Sequence, residues 1–250
     1  MIGLAIGVLV ILAVLSLLLN MTHASARVAQ TQDVSDAVRT SVGIVERGVA
    51  EAGFGIRDTA AVLAVDPTLK RAGHTNSVTI RTRSVAEPLG PVLASEIQTC
   101  DYGLKVVSGV TPALVRSCAV GTLPAAEVVV VNGAVAFEVH SGCASATTTR
   151  VERYRRGNCT AGEVRRSVRL AMLLRATAPD PIPNRLVADD TYTFPPTVDV
   201  PAGAVYTVPT GAAGVSEGCG LDGECRSYKH RVIVSEIIPR NELFRARVSF

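Results

Sequence analysis

Apolar residues run unbroken through the first twenty positions, MIGLAIGVLVILAVLSLLLN, and then give way to a mixed pattern. Between Ile2 and Leu19 there is no charged side chain and a single hydroxyl, Ser16. These 18 residues make a helix of about 27 Å. That length crosses a bilayer core of about 30 Å with little to spare. In lipid every backbone N–H and C=O must be paired within the segment, so helix is the predicted form. A secretory signal would open on basic residues and carry a shorter apolar core, and a core helix would carry a polar face. Residues 1–20 are therefore read as a membrane anchor. Gly3 and Gly7 form a Gly-x-x-x-Gly step, at which two membrane helices can approach closely. Glycine is common in such helices for other reasons too.

Residues 21–55 read as an amphipathic continuation of the same helix. Val28, Thr31, Ser35, Val38, Val42, Val45, Val49 and Ala52 recur at alternating spacings of three and four, which places them on one stripe. Val38, Val42, Val45 and Val49 are the expected packing positions. Arg27, Asp33, Asp36, Arg39, Glu46, Arg47 and Glu51 fall on the other face. Gly53-Phe54-Gly55 supplies a stop, since glycine commonly follows a helix end. A helix from Met1 to Ala52 would be about 78 Å long, so its second half needs a surface to pack on.

A β-rich domain over 56–250 supplies that surface. Ser77–Ser84 alternates apolar and polar residues as a half-buried strand does, and Leu104–Val107 is a short candidate. Glu127–Val131 and Ala134–His140 flank Asn132-Gly133, a two-residue hairpin signal. Ser167–Ala176 puts Val168, Leu170, Met172 and Leu174 on one face, and Arg231–Ile238 is the last clear strand. One long helix followed by strands predicts an α+β domain with the helix laid on an antiparallel sheet. Seven of the 13 prolines lie between Pro179 and Pro209. Proline cannot donate to a sheet ladder, so 177–226 is expected to be irregular or edge structure.

Composition sharpens this picture. All six cysteines (Cys100, Cys118, Cys143, Cys159, Cys219 and Cys225) lie beyond the anchor. An even number in a membrane-tethered chain points to disulfides and an oxidising compartment. Six cysteines allow 15 pairings; proximity favours Cys219 with Cys225, Cys143 with Cys159 and Cys100 with Cys118. No Cys-x-x-Cys or histidine ligand spacing supports zinc. Net charge is +3, too small to argue for a nucleic-acid partner. Basic residues flanking an anchor mark its cytoplasmic side, yet none precedes this one and Arg27 follows it. The cysteines place the domain outside the cytoplasm, and basic residues upstream of Met1 would reconcile the two.

No catalytic constellation emerges. The nucleophile-elbow, His-Glu-x-x-His and phosphate-loop patterns are absent, and neither an enzymatic activity nor a cofactor is expected. The one charge cluster sets eight arginines between Arg150 and Arg175 against Glu152 and Glu163. Arg150, Arg153, Arg155, Arg156, Arg165, Arg166 and Arg169 form a candidate basic patch for phosphates. With Tyr154 as the only interleaved aromatic, outward strand positions explain it better than nucleic-acid binding.

The chain resembles type IV minor pilins of the PilW kind. The apolar start resembles the pilin helix just after the prepilin peptidase site. Ala52-Gly53-Phe54 is similar to the Ala-Gly-aromatic step at the helix end. Val168–Arg175 resembles a family strand ending in Leu-Leu-Arg, and Arg240-Asn241 a terminal Arg-Asn. The resemblance implies a single-pass inner-membrane protein of bacteria, its C-terminal domain periplasmic before it enters a pilus fibre. It implies a place in the tip or initiation complex, with major and minor pilins, a tip adhesin, the inner-membrane assembly machinery and, before assembly, lipid as partners. The alternatives are a type II secretion pseudopilin and a membrane-tethered periplasmic binding domain. Such pilins begin with a basic leader ending in Gly, then Phe-Thr-Leu-Ile-Glu-Leu. That leader and glutamate are expected upstream of Met1, with the Glu two residues before it.

Overall fold

The apolar run and the amphipathic stretch form one rod, α1 (Ile2–Glu51), of 50 residues. The structure is a computed structural model and describes residues 2–52, 63–65, 70–71, 77–85, 97–107, 111–121, 123, 125–176, 191–207 and 230–239. The rod is about 75 Å long. Its last turn tightens as the Ala52 amide donates to the Val49 carbonyl at 3.3 Å. The Gly53–Gly55 stop lies outside the described residues.

Among the described residues twelve strands follow: β1 (Leu63–Val65), β2 (Lys70–Arg71), β3 (Ser77–Val85), β4 (Ile97–Val107), β5 (Thr111–Val120) and β6 (Ala126–Asn132); then β7 (Ala134–Ser145), β8 (Arg153–Arg156), β9 (Glu163–Arg175), β10 (Thr191–Thr193), β11 (Val205–Thr207) and β12 (His230–Ile237). They make two five-stranded sheets and a hairpin. The first sheet runs β1-β3-β4-β5-β6, and the second β12-β9-β7-β2 with β8 also on β7; β10 pairs with β11. Every pairing among these strands is antiparallel. One helix with antiparallel sheets is the expected α+β layout, but the single expected sheet is two.

The division falls at Asn132-Gly133, which is not the predicted hairpin. β6 pairs with β5, whereas β7 pairs with β9, so the two strands flanking the glycine belong to different sheets. The chain turns a corner there instead of folding back. Gly133 has φ 84°, and a Cβ at this position would stand 2.4 Å from the Arg175 carbonyl oxygen. Only glycine fits both the left-handed backbone and the close approach. The corner is held from both sides: the Gly133 amide donates to the Pro112 carbonyl at 2.7 Å, and the Arg175 amide donates to the Gly133 carbonyl at 2.8 Å.

The C-terminal half of α1 packs against β6 of the first sheet and against β9 and β12 of the second. Val45, Val49 and Ala52 enter a core with Tyr102, Leu104, Leu114, Phe137, Val139, Val168, Leu170, Met172 and Leu174. Val38 and Val42 pack at its margin. The stripe departs from expectation nearer the N-terminus. Val28 is 57% exposed and Thr31 is exposed, while Gln30, Val34 and Ser41 are buried. A three-four alternation follows a 3.5-residue period, whereas a straight helix turns in 3.6, a drift of about 20° per heptad. The two lines coincide at Val45 to Ala52 and separate toward Val28.

The outer face of the second sheet is also covered. Val135, Ala136, Ala171 and Leu173 pack beneath Phe194, Ala204 and Tyr206. These last residues come from 191–207, inside the proline-rich stretch expected to be irregular; β10 and β11 are its only described strands. Residues 194–204 loop between them as a strap across the sheet.

Candidate functional site

Two features stand out: the uncovered half of α1, and a polar cluster beneath the strap. From Ile6 to Met21 the large apolar side chains of α1 are exposed, with Leu9 at 66%. An 18-residue window here has a mean hydropathy of 2.2 and none of it is buried, so α1 is long and apolar enough to cross a membrane. Its few hydroxyls are satisfied within the helix. Ser16 donates to the Ala13 carbonyl, Thr22 to Leu19 and Ser25 to Thr22, at 2.8, 2.8 and 2.9 Å. Hydroxyls bonded back to the preceding turn can enter an apolar environment without leaving a donor unpaired. A Cβ at Gly7 would meet nothing within 4 Å, so the helix surface there is open to a close neighbour. The Gly3 surface lies outside the described residues.

The arginine-rich stretch becomes β8, the following turn and β9, and most of its guanidiniums are spent internally. Arg155 grips Glu163 through Nε and Nη2 at 2.9 and 3.2 Å. Arg153 stands 3.5 Å from the same carboxylate. Arg165 donates to Ser141 Oγ at 3.1 Å and to Asn158 Oδ1 at 2.5 Å. Arg166 donates to the Ala146 carbonyl at 3.2 Å. Arg156 donates from Nε to Glu138 Oε1. Arg150 is exposed. The structure thus disperses the candidate patch among carboxylates and carbonyls. Glu163, bound by Arg155 and by the Thr160 hydroxyl and amide, has its carboxyl pulled from 4.5 down to about 2.

Beneath the strap, Glu138 and His140 project from the same face of β7, two residues apart, and both are buried. Arg169 of β9, the register partner of His140, donates from Nε to His140 Nδ1 at 3.1 Å. An arginine can only donate, so Nδ1 is the acceptor and the ring proton sits on Nε2. That nitrogen stands 3.2 Å from Glu138 Oε1, out of line for a good hydrogen bond. Arg169 also donates from Nη2 to the Pro196 carbonyl at 2.6 Å, and its guanidinium carbon lies 3.8 Å from the centre of the Tyr154 ring. Tyr154 reaches across from β8 to donate to Glu236 Oε1 on β12 at 2.7 Å. Burial opposes charge on Glu138, but the neighbouring His140 and the hydrogen-bonded Arg156 outweigh it and hold the carboxyl below its ordinary value. Burial, with Glu236 beside the hydroxyl, pushes the Tyr154 phenol up.

The strap closes over this network through its own bonds. The Val198 amide donates to the Tyr154 carbonyl at 2.9 Å, and the Arg156 amide donates to Asp199 Oδ2 at 2.8 Å. Sequence reasoning singled out the arginines and noted Tyr154 among them, but missed Glu138, His140, Glu236 and the strap. The available signal was the alternation in AVAFEVH, which sets Glu138 and His140 on one face. The cover of that face arrives from about sixty residues later.

Two of the favoured disulfides are formed: Cys100 with Cys118, directly opposed across β4 and β5, and Cys143 with Cys159. Cys219 and Cys225 lie outside the described residues. Cys143, Cys159 and Glu163 bring metal-ligand atoms within 4.8 Å of one another, but both sulfurs are committed to the disulfide. A scan against protein-family models found no match, and neither did searches of curated proteins and of solved structures.

Proposed function

We propose that the chain is a minor pilin, anchored by α1 in a bacterial inner membrane and transferred from it into a type IV pilus. The observation that carries this reading is the division of α1: one continuous helix, bare and apolar over its first half and packed on the domain over its second. A bare apolar half can exchange lipid for the helices of neighbouring subunits while the domain stays folded. Close packing replaces lipid contacts at little cost in such an exchange, because the two environments are equally apolar. The internally bonded hydroxyls and the open surface at Gly7 suit both environments. Two disulfides fit a domain that matures in the periplasm, and the resemblance to PilW-type pilins supplies the particular fibre. Its role is assembly, through other pilins, and not catalysis.

The test is fractionation in the native bacterium. An antibody to the domain should detect the chain both in membranes and in sheared surface fibres, and deleting the gene should reduce piliation. Retention wholly in the membrane with normal piliation would refute a pilin role and leave a tethered binding domain. Unchanged piliation with lost protein secretion would identify a secretion pseudopilin instead.

A further inference from the structure

We infer that His140 is an acid-sensitive catch for the strap over residues 194–204. The catch rests on one hydrogen bond whose direction is fixed. Arg169 Nε–H points at His140 Nδ1 from 3.1 Å, and this contact exists only while Nδ1 carries no proton. A second proton on the imidazole would place two N–H donors head to head. The imidazole has nowhere to turn, since its side chain is wholly buried. Arg169 is the mobile partner, and it is also a direct link to the strap, through the Pro196 carbonyl at 2.6 Å.

Charged groups surround the imidazole. Glu138 faces it from β7, Arg156 and Tyr154 from β8, Arg169 from β9, Glu236 from β12, and Asp199 lies on the strap itself. With the imidazole neutral, the carboxylates Glu138, Glu236 and Asp199 stand against the guanidiniums of Arg156 and Arg169. Asp199 is engaged by the Arg156 amide, with Arg155 at 3.9 Å. A second ring proton meets the Arg169 Nε–H donor head to head, so proton uptake and displacement of Arg169 occur together. Displacing Arg169 removes the Pro196 contact and the stack on Tyr154. The middle of the strap, 196–200, then opens, while Phe194 and Tyr206 keep its ends seated in the outer core.

The experiment is amide hydrogen exchange on the full chain in detergent micelles, at about pH 7.5 and about pH 5.5, corrected for the intrinsic pH dependence of exchange. Protection of the Val198 amide and its neighbours should fall about tenfold or more in acid, while the disulfide-linked β4–β5 pair stays unchanged. In His140→Gln, where the side-chain carbonyl can accept from Arg169 at either pH, the strap should stay protected in acid. Equal protection of the wild-type strap at both pH values overturns the catch. So does an equal loss in His140→Gln, which would assign the effect to Asp199 or Glu236. Nitrogen shifts of the His140 ring test it on the wild type alone, should the variant not fold. The catch predicts Nδ1 bare at the higher pH and protonated together with strap opening; protonation with the strap still closed, or no protonation, overturns it.

Discussion

Gly48 offers a sharp test of how α1 meets the first sheet. A Cβ built there would stand 2.0 Å from the Tyr102 hydroxyl oxygen and 2.9 Å from the ring carbon bearing it. Tyr102 cannot easily retreat: its side chain is 1% exposed and its hydroxyl is engaged by Arg116. Gly48→Ala therefore sets two effects against each other. Replacing glycine by alanine inside a helix gains about 1 kcal/mol. Forcing a methyl into a filled contact costs about 1–3 kcal/mol. The net expectation is a loss of about 1 kcal/mol. Gly43 provides the internal control, because a Cβ there meets nothing within 4 Å; Gly43→Ala should gain about 1 kcal/mol. Tyr102→Phe removes the closest atom, so adding Gly48→Ala to that background should cost about 1 kcal/mol less than in the wild type. Denaturant unfolding of the full chain in micelles, followed by near-UV circular dichroism of the tyrosines, reads the wild type and all four variants; no tryptophan is present to mask them. If Gly48→Ala stabilised as much as Gly43→Ala, the packing of Tyr102 onto Gly48 would be wrong.

Three further expectations can be checked in the same preparation. Val45→Asp should destabilise the domain by several kcal/mol, since it buries an unpaired charge in a fully enclosed site, whereas Val28→Asp, on the exposed side, should leave the domain's unfolding midpoint unchanged. Alkylation without reductant should label none of Cys100, Cys118, Cys143 and Cys159, and replacing Cys143 and Cys159 by serine should cost about 3 kcal/mol in chemical unfolding, given their separation of 16 residues. The depressed Glu163 carboxyl stabilises the fold above its ordinary 4.5, and that contribution is lost as pH falls toward about 2; Glu163→Gln should be less stable at neutral pH and show a flatter acid titration over the same interval.

What could be read in the chain was whatever depends on local period. The apolar run of α1, the alternation of β9 and the final strand all show in the order of residues, because one element buries one face. The parts that escaped depend on distant neighbours. β5 was not among the expected strands; it carries Pro112, whose missing amide does no harm at the second residue of the strand. Asn132-Gly133 has hairpin composition, but a positive-φ glycine serves a corner equally well, and only the partners of β6 and β7 distinguish the two. The candidate arginines were visible as a cluster, while their pairing with Glu138 and Glu163 follows from register across β7, β8 and β9. The polar network escaped for the same reason: its lid is a proline-rich strap whose own sequence has no period.

The corner at Gly133 also fixes how the domain carries mechanical load. Tension applied along α1 divides between two plates, because the helix touches β6 in one and β9 and β12 in the other. Each plate has its own covalent rivet, Cys100–Cys118 in the first and Cys143–Cys159 in the second, and neither rivet crosses the seam. Along β6 and β7 the seam is crossed by a single peptide corner, clamped to β5 and β9 by one hydrogen bond each. Away from that corner the plates meet through the core they share with α1, where Tyr102, Leu104 and Leu114 of the first face Phe137, Val139 and Leu170 of the second. The helix acts as the keystone between the plates, so whatever holds α1 in place also sets the force at which the domain yields.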